Sequence, residues 1–339
     1  MKKIGLFTIL VLLGIIIIAF SLHGCRNDKK NKNEEINLVV NKKPAIKAIE
    51  SFHTSKHIGI NGRISEQWKK SDSLYANVST KELIDLAANH DDKIERLIAF
   101  RALLMKNPHE AVNLAISVID DTTNVSTTDG CCGEENIVSN VRIRMIQYER
   151  KQYKVSMADS MRIDSALLFS NNSPKFDYMY HLYHKLQAKP EYEKRLLQLY
   201  EQDQNALIAL ARYHRDDIKQ EIIRLISQID KKINLANRDT ICTVLDAVIA
   251  WPSESYKQIV RQKCQYILNK ADTYGCERSA LGALMAYNDK WSYNFIDKTL
   301  SKAKQEEFYS TSLDFLKAYE DNPLPLFKPL IQKYKIAWD

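Results

Sequence analysis

Glycine and proline are scarce, at nine and eight in 339 residues. A β-sandwich or barrel needs a turn about every ten residues, so this shortage speaks against an all-β fold. The sequence also lacks a Gly-x-Ser-x-Gly elbow, a glycine-rich phosphate loop and a His-Glu-x-x-His helix. With them go the signatures of serine nucleophiles, phosphoryl transfer and zinc proteolysis. No run of five or six lysines and arginines occurs, and the formal charge of +7 is mild for the length. A nucleic-acid partner is therefore not expected. No Cys-x-x-Cys pair with a nearby histidine completes a four-ligand zinc site, so neither a metal nor a cofactor is expected. What is present is an ordinary globular balance, 45% hydrophobic and 27% charged, enough for a sizeable core.

Only one long apolar run stands out. After Lys2 and Lys3, nineteen residues from Ile4 to Leu22 carry no charge, and the run closes on His23, Gly24 and Cys25. A basic start, an apolar stretch and a small residue before the break have the layout of a signal peptide. The segment resembles a bacterial lipoprotein signal, with Leu22 and Gly24 in the lipobox and His23 where that family usually has Ala or Ser. The resemblance implies that the Cys25 thiol takes a diacylglycerol and that the chain is cut before it. The alternative is a retained inner-membrane signal anchor, because nineteen helical residues reach about the ~30 Å of a hydrocarbon core. In both readings Lys2 and Lys3 hold the N-terminal flank in the cytoplasm and the body lies outside the inner membrane.

The stretch that follows, RNDKKNKNEEINLVVNKK, is too polar to offset its chain entropy by burial and reads as a tether. By the sorting rules of the better-known lipoprotein families, Arg26 beside Cys25 implies outer-membrane delivery. Asp28, alone between Asn27 and two lysines, does not form the acidic cluster that resembles a surface-export signal in Bacteroidetes-type bacteria, so the periplasmic face is expected. The expected organisation is a signal peptide over 1–24, a flexible tether over 25–43 and a helical domain over 44–339.

Within that domain a pattern repeats. RLIAFRALLMKNPHEAVNLAISVI, NALIALARYHRDDIKQEIIRLI, TVLDAVIAWPSESYKQIVRQKC and ERSALGALMAYNDKWSYNFIDKTL each hold an apolar helix, a short break with Asn, Asp or Pro, and an amphipathic helix. The unit is a helical hairpin. Its first helices centre on Ala102, Ala209, Ala247 and Ala283, with a weaker copy at Ala166. Ala209 to Ala247 spans 38 positions and Ala247 to Ala283 spans 36. The pattern resembles HEAT repeats, which implies an all-α fold stacked as an α-solenoid. A small alanine is expected where neighbouring first helices approach closely. Ser79-x-x-Glu82 has the spacing of a capping box and marks a helix start. Residues 79–132 are similar to HEAT-like lipoproteins of Bacteroidetes, a likeness over about a sixth of the chain that implies fold and not activity. Residues 44–76 are expected to add one or two capping helices. FYSTSLDFLKAYE and the Pro-bounded LIQKYKIAW would close the far end.

Candidate chemistry gathers in DDTTNVSTTDGCCGEEN, residues 120–136, expected to be a long inter-helix loop. Cys131 and Cys132 there could bond to each other, pair with Cys242, Cys264 or Cys276, or take a soft metal. With Cys25 lipidated, five of the six cysteines remain, an odd number for a full disulfide set. His53/His57 and His181/His184 have spacings that place each pair on one helical face. Tyr178, Tyr180, Tyr183, Tyr192 and Tyr200 cluster beside the second pair and suit either packing or a concave binding surface. Asp91-Asp92, Glu134-Glu135 and Asp216-Asp217 are expected to sit in turns and cap helices. The leading expectation is a lipid-anchored, non-catalytic solenoid that binds a protein or envelope polymer. The alternative is a thiol-dependent redox or metal-handling protein using Cys131 and Cys132.

Overall fold

Helix starts and stops account for most of the architecture. In the computed structural model, which describes residues 51–58, 62–129, 132–229, 235–269, 275–305 and 309–336, the first helices are α1 (Glu66–Asn77) and α2 (Thr80–Asn89). Ser79 caps α2 with both arms of the capping box: its hydroxyl accepts from the Glu82 N–H, and the Glu82 carboxylate accepts from the Ser79 N–H. Asp92 caps α3 (Lys93–Lys106) by accepting from the N–H groups of Ile94 and Glu95. Asn107 then serves two helices. Its N–H closes α3 on the Leu103 carbonyl at 2.7 Å, and its side chain caps α4 (Pro108–Ser117), where Pro108 fits a first-turn position that has no N–H partner.

The chain continues through α5 (Val138–Tyr148), α6 (Met157–Phe169), α7 (Met179–Lys185), α8 (Pro190–Tyr200), α9 (Ala206–Leu210) and α10 (Asp216–Ser227). It ends with α11 (Leu235–Ala250), α12 (Lys257–Leu268), α13 (Glu277–Ala286), α14 (Lys290–Gln305), α15 (Tyr309–Asp321) and α16 (Lys328–Tyr334). The polar breaks fall where the hairpin pattern puts them. His214 and Asn288 take left-handed backbone at two of them, with φ of 55° and 47°. Such φ values are uncommon outside glycine and are adopted most readily by short polar residues such as Asn.

Helices two apart in sequence pack on one another. α7, α9, α11, α13 and α15 form one row, while α2, α4, α6 and α8, then α10 with α12 and α14 with α16, make the contacts of the other. Ala209 on α9, Ala247 on α11 and Ala283 on α13 are all buried in the first row, as is Ala102 on α3, whereas Ala166 on α6 is only half-buried. Gly282 shows how close the approach is, since a Cβ there would lie 2.6 Å from the Ile249 Cδ1 across the α11–α13 contact. The buried core runs without interruption from Phe52 to Leu330 within a unit bounded by Ile49 and Asp339.

The all-α expectation holds for the bulk of the chain and is corrected at two places. The described residues of 120–136 are not one long loop. They contain β4 (Asn124–Asp129) and β5 (Cys132–Ile137), paired antiparallel, with β1 (Phe52–His53) parallel to β4. In β4 the side chains alternate, with Val125 and Thr127 buried and their neighbours facing outward, which is the period-two pattern of a strand. The described residues of 51–64 are likewise not helical: β2 (His57–Ile58) and β3 (Arg63–Ile64) form a small ladder, and among the described residues α1 supplies one expected capping helix. Among the described residues, no helix is long and apolar enough to cross a membrane.

Several basic side chains tie the elements together by bonding carbonyls that helix ends leave open. Lys106 donates to Tyr75 in the last turn of α1 and to Val78 just after it, Arg142 to Ala87 in α2, Arg195 to Leu168 in α6, and Arg212 to Tyr183 and His184 in α7. A cation suits these ends, where the helix dipole is negative.

Candidate functional site

A band of rings with polar tips runs from α5 across α7 to α11. It starts at the end of α5, where Tyr148 is half exposed. Its ring meets Tyr178 edge-on at 5.5 Å and His181 at 5.6 Å. On α7, His181 lies 5.8 Å from Tyr180, which in turn sits 4.7 Å from His184. The last two rings reach α11. The Tyr180 hydroxyl donates to Asp246 Oδ2 at 2.7 Å, and His184 Nε2 stands 3.4 Å from the same oxygen. Asp246 is almost wholly buried, and the Tyr180 hydrogen bond offsets part of the hydration its carboxylate has lost.

Burial, reinforced by the Asp246 charge, pushes the Tyr180 hydroxyl pKa upward, so Tyr180 keeps its proton. The His181 ring is held below its ordinary value of 6.5, first by burial and then by the positive surroundings of His184, Arg278 and Lys185. With Tyr180 held protonated and His181 shifted toward its neutral form, the band presents rings with hydrogen-bonding edges, suited to stacking and directed polar contacts. Further along the row, Asp314 on α15 is raised to about 6 by burial and by the nearby Glu277 charge.

At the α5 end the band opens onto a cavity of about 350 Å³ lined by Thr54, Ser55, Asp129, Arg144, Tyr148 and Glu149, among others. Arg144 bonds Glu134 and lies 3.6 Å from Asp177. Burial raises the Glu149 carboxyl pKa despite the Tyr153 hydrogen bond and the Arg101 and Arg144 charges. A shallower cavity of about 550 Å³ lies between α14 and α16, where Lys333 and the Tyr334 hydroxyl are both 2.7 Å from Asp297.

The residues singled out in the sequence fall in different places. Leu22, Gly24 and Cys25 lie outside the described residues, as does Cys131. Cys132 is exposed at the start of β5, opposite Asp129 in the hairpin. His53 and His57 share no helix face: they stand on β1 and β2, and His53 Nδ1 is 2.7 Å from the Ser65 hydroxyl. His181 and His184 do share α7 and both join the ring band. Tyr178 and Tyr183 are buried, so only part of the tyrosine cluster faces outward. Asp92 caps α3 and Asp216 and Asp217 open α10, while Glu134 and Glu135 are strand residues, paired across from Thr127 and Ser126. Among the described residues, no three His, Cys, Asp or Glu side chains gather as metal ligands.

No protein-family model, curated protein or solved structure matches the chain. The site accordingly rests on its own geometry. Sequence reading missed Tyr148 and Asp246, the two ends of the band. Tyr148 ends an unremarked helix, and Asp246 lies 66 positions from Tyr180, so no local pattern connects them.

Proposed function

We propose that the protein is a lipoprotein, anchored through Cys25 with Leu22 and Gly24 in its lipobox. Its helical hairpins build a HEAT-like α-solenoid that binds a protein or envelope polymer without catalysis. The observation that carries the binding reading is the continuous ring band from Tyr148 on α5 through Tyr178, His181, Tyr180 and His184 to Asp246 on α11. Half-exposed tyrosines fixed by neighbours offer large contact areas with little entropy left to lose on binding, which is what binding hot spots require. The support for a stack of hairpins is the pairing of helices two apart together with the buried Ala209, Ala247 and Ala283 and the close approach at Gly282.

Partner recovery from crosslinked envelopes tests the binding reading. The triple variant Tyr148→Ala, Tyr180→Ala, His181→Ala should recover the partner at least about tenfold less than the wild type. Met157→Ala with Met161→Ala, exposed on α6 at 63% and 59%, should leave recovery unchanged. Equal loss in both variants would count against the ring band. Fatty-acid labelling tests the anchor: incorporation should vanish in Cys25→Ala, and label retained there would refute lipidation at this residue.

A further inference from the structure

Two cysteines that the sequence separates by 34 positions meet between adjacent helices. Cys242 Sγ, on α11, lies 3.1 Å from Cys276 Sγ, at the N-terminal boundary of α13. Cys276 is buried and Cys242 is partly exposed. A disulfide has an S–S length near 2.0 Å, so an approach of about 1 Å would join them. The two helices carrying them are already packed against each other, with Gly282 and Ile249 in close apposition on the same contact.

We propose that Cys242 and Cys276 are an oxidation site, forming a reversible disulfide that ties α11 to the start of α13. The co-reactant is a disulfide of the glutathione class. The Cys242 thiolate attacks one sulfur of that disulfide, breaking its S–S bond, forming a mixed disulfide and expelling a thiolate. The expelled thiolate takes the Cys276 proton, and the Cys276 sulfur then attacks Cys242, expelling the second thiol-bearing fragment as thiolate, which is protonated from solvent. In sum, two protein thiols lose two electrons and two protons, and one disulfide oxidant becomes two thiols.

The roles follow from the surroundings. Cys242 is the accessible sulfur, and the hydrogen bond from Cys276 draws its thiol pKa down against the effect of burial. Cys276 is shifted the other way, first by that hydrogen bond and then by burial, which suits a resolving thiol that reacts second. Cys264, fully enclosed on α12, is pushed toward the neutral thiol by burial and is a poor nucleophile. The site stands apart from the ring-band reading, although Cys242 is one helical turn from Asp246.

The test is peptide mapping of the full chain after incubation with glutathione disulfide, denaturation and alkylation. Trypsin releases residues 239–257 with Cys242 and 271–278 with Cys276. The expected product is these two peptides joined and separable by dithiothreitol. Alkylation of both cysteines to the extent seen in untreated protein would overturn the proposal. Cys276→Ser should retain glutathione on Cys242, and Cys242→Ser should leave Cys276 alkylated. Glutathione found on Cys276 alone would overturn the order of attack. The oxidised wild type should melt at least about 4 °C higher than the reduced form, and a linked protein with an unchanged melting point would contradict the tie between the helices.

Discussion

Arg142→Ala will lower the unfolding free energy by about 3–5 kcal/mol, measured by urea denaturation, because it removes a buried cation that joins three elements. The Arg142 side chain is 1% exposed. Its guanidinium donates 2.6 Å to the Ala87 carbonyl of α2 and 3.3 Å to Asp121 Oδ2, and sits 5.7 Å from the Phe100 ring on α3. Burial draws its pKa down to about 10 against the pull of Asp121, so it remains charged at neutral pH. Truncation leaves a carbonyl unsatisfied, a cavity beside Phe100, and Asp121 with Arg96 alone at 3.0 Å. The same cluster gives an acid dependence. Burial alone would raise the Asp121 pKa, but the Thr123 hydrogen bonds and the charges of Arg96 and Arg142 together hold it below 3.8. A carboxylate whose folded pKa is depressed contributes stability that is complete above its unfolded value and is lost as pH falls through the folded one. Wild-type stability should therefore drop below about pH 4, and Arg142→Ala should show a smaller share of that drop. An unchanged denaturation midpoint in Arg142→Ala would show that the guanidinium does not hold these elements.

Arg101→Ala will be almost as damaging, at about 3 kcal/mol, and its effect will be confined to the N-terminal third. This guanidinium is sandwiched between Phe52 at 4.4 Å and Trp68 at 4.1 Å, and it donates a hydrogen bond of 2.7 Å to the His53 carbonyl. Nε and Nη1 have no partner among the described residues, so ring stacking takes the place of hydrogen bonds on those edges. The side chain thereby fastens β1 to α1 and α3. Hydrogen exchange should report faster loss of protection at the Thr54 N–H, which bonds the Thr128 carbonyl, with α13 unchanged. Arg101→Lys keeps the charge but not the flat stack and should recover less than half of the lost stability. Uniform loss of protection along the chain would contradict a local clasp.

What could be read in the sequence was local. The Ser79-Glu82 box and the Asn107-Pro108 break are complete within four residues, and the alanine spacing samples a period that helices impose on their own. The β4–β5 hairpin escaped because only Val125 and Thr127 mark its buried face, among residues that serve turns equally well. The ring band was half visible: Tyr178, Tyr180, His181 and His184 lie within seven positions of each other. Asp246, which fixes Tyr180, and the Cys242–Cys276 pair are products of stacking across 66 and 34 positions. Residues that far apart meet only once the hairpins pack, and no periodicity in either helix names its neighbour.

The most direct measurement is photocrosslinking in the native envelope with a benzophenone side chain placed singly at Tyr148, Tyr180, Met157 and Met161. All four positions are exposed, at 50%, 37%, 63% and 59%, so access alone does not separate them. If the ring band is the binding surface, Tyr148 and Tyr180 will give the same crosslinked species and the two α6 positions will give none of it. Crosslinking from Met157 and Met161 with silence at Tyr148 and Tyr180 would place recognition elsewhere and contradict the function proposed for this face.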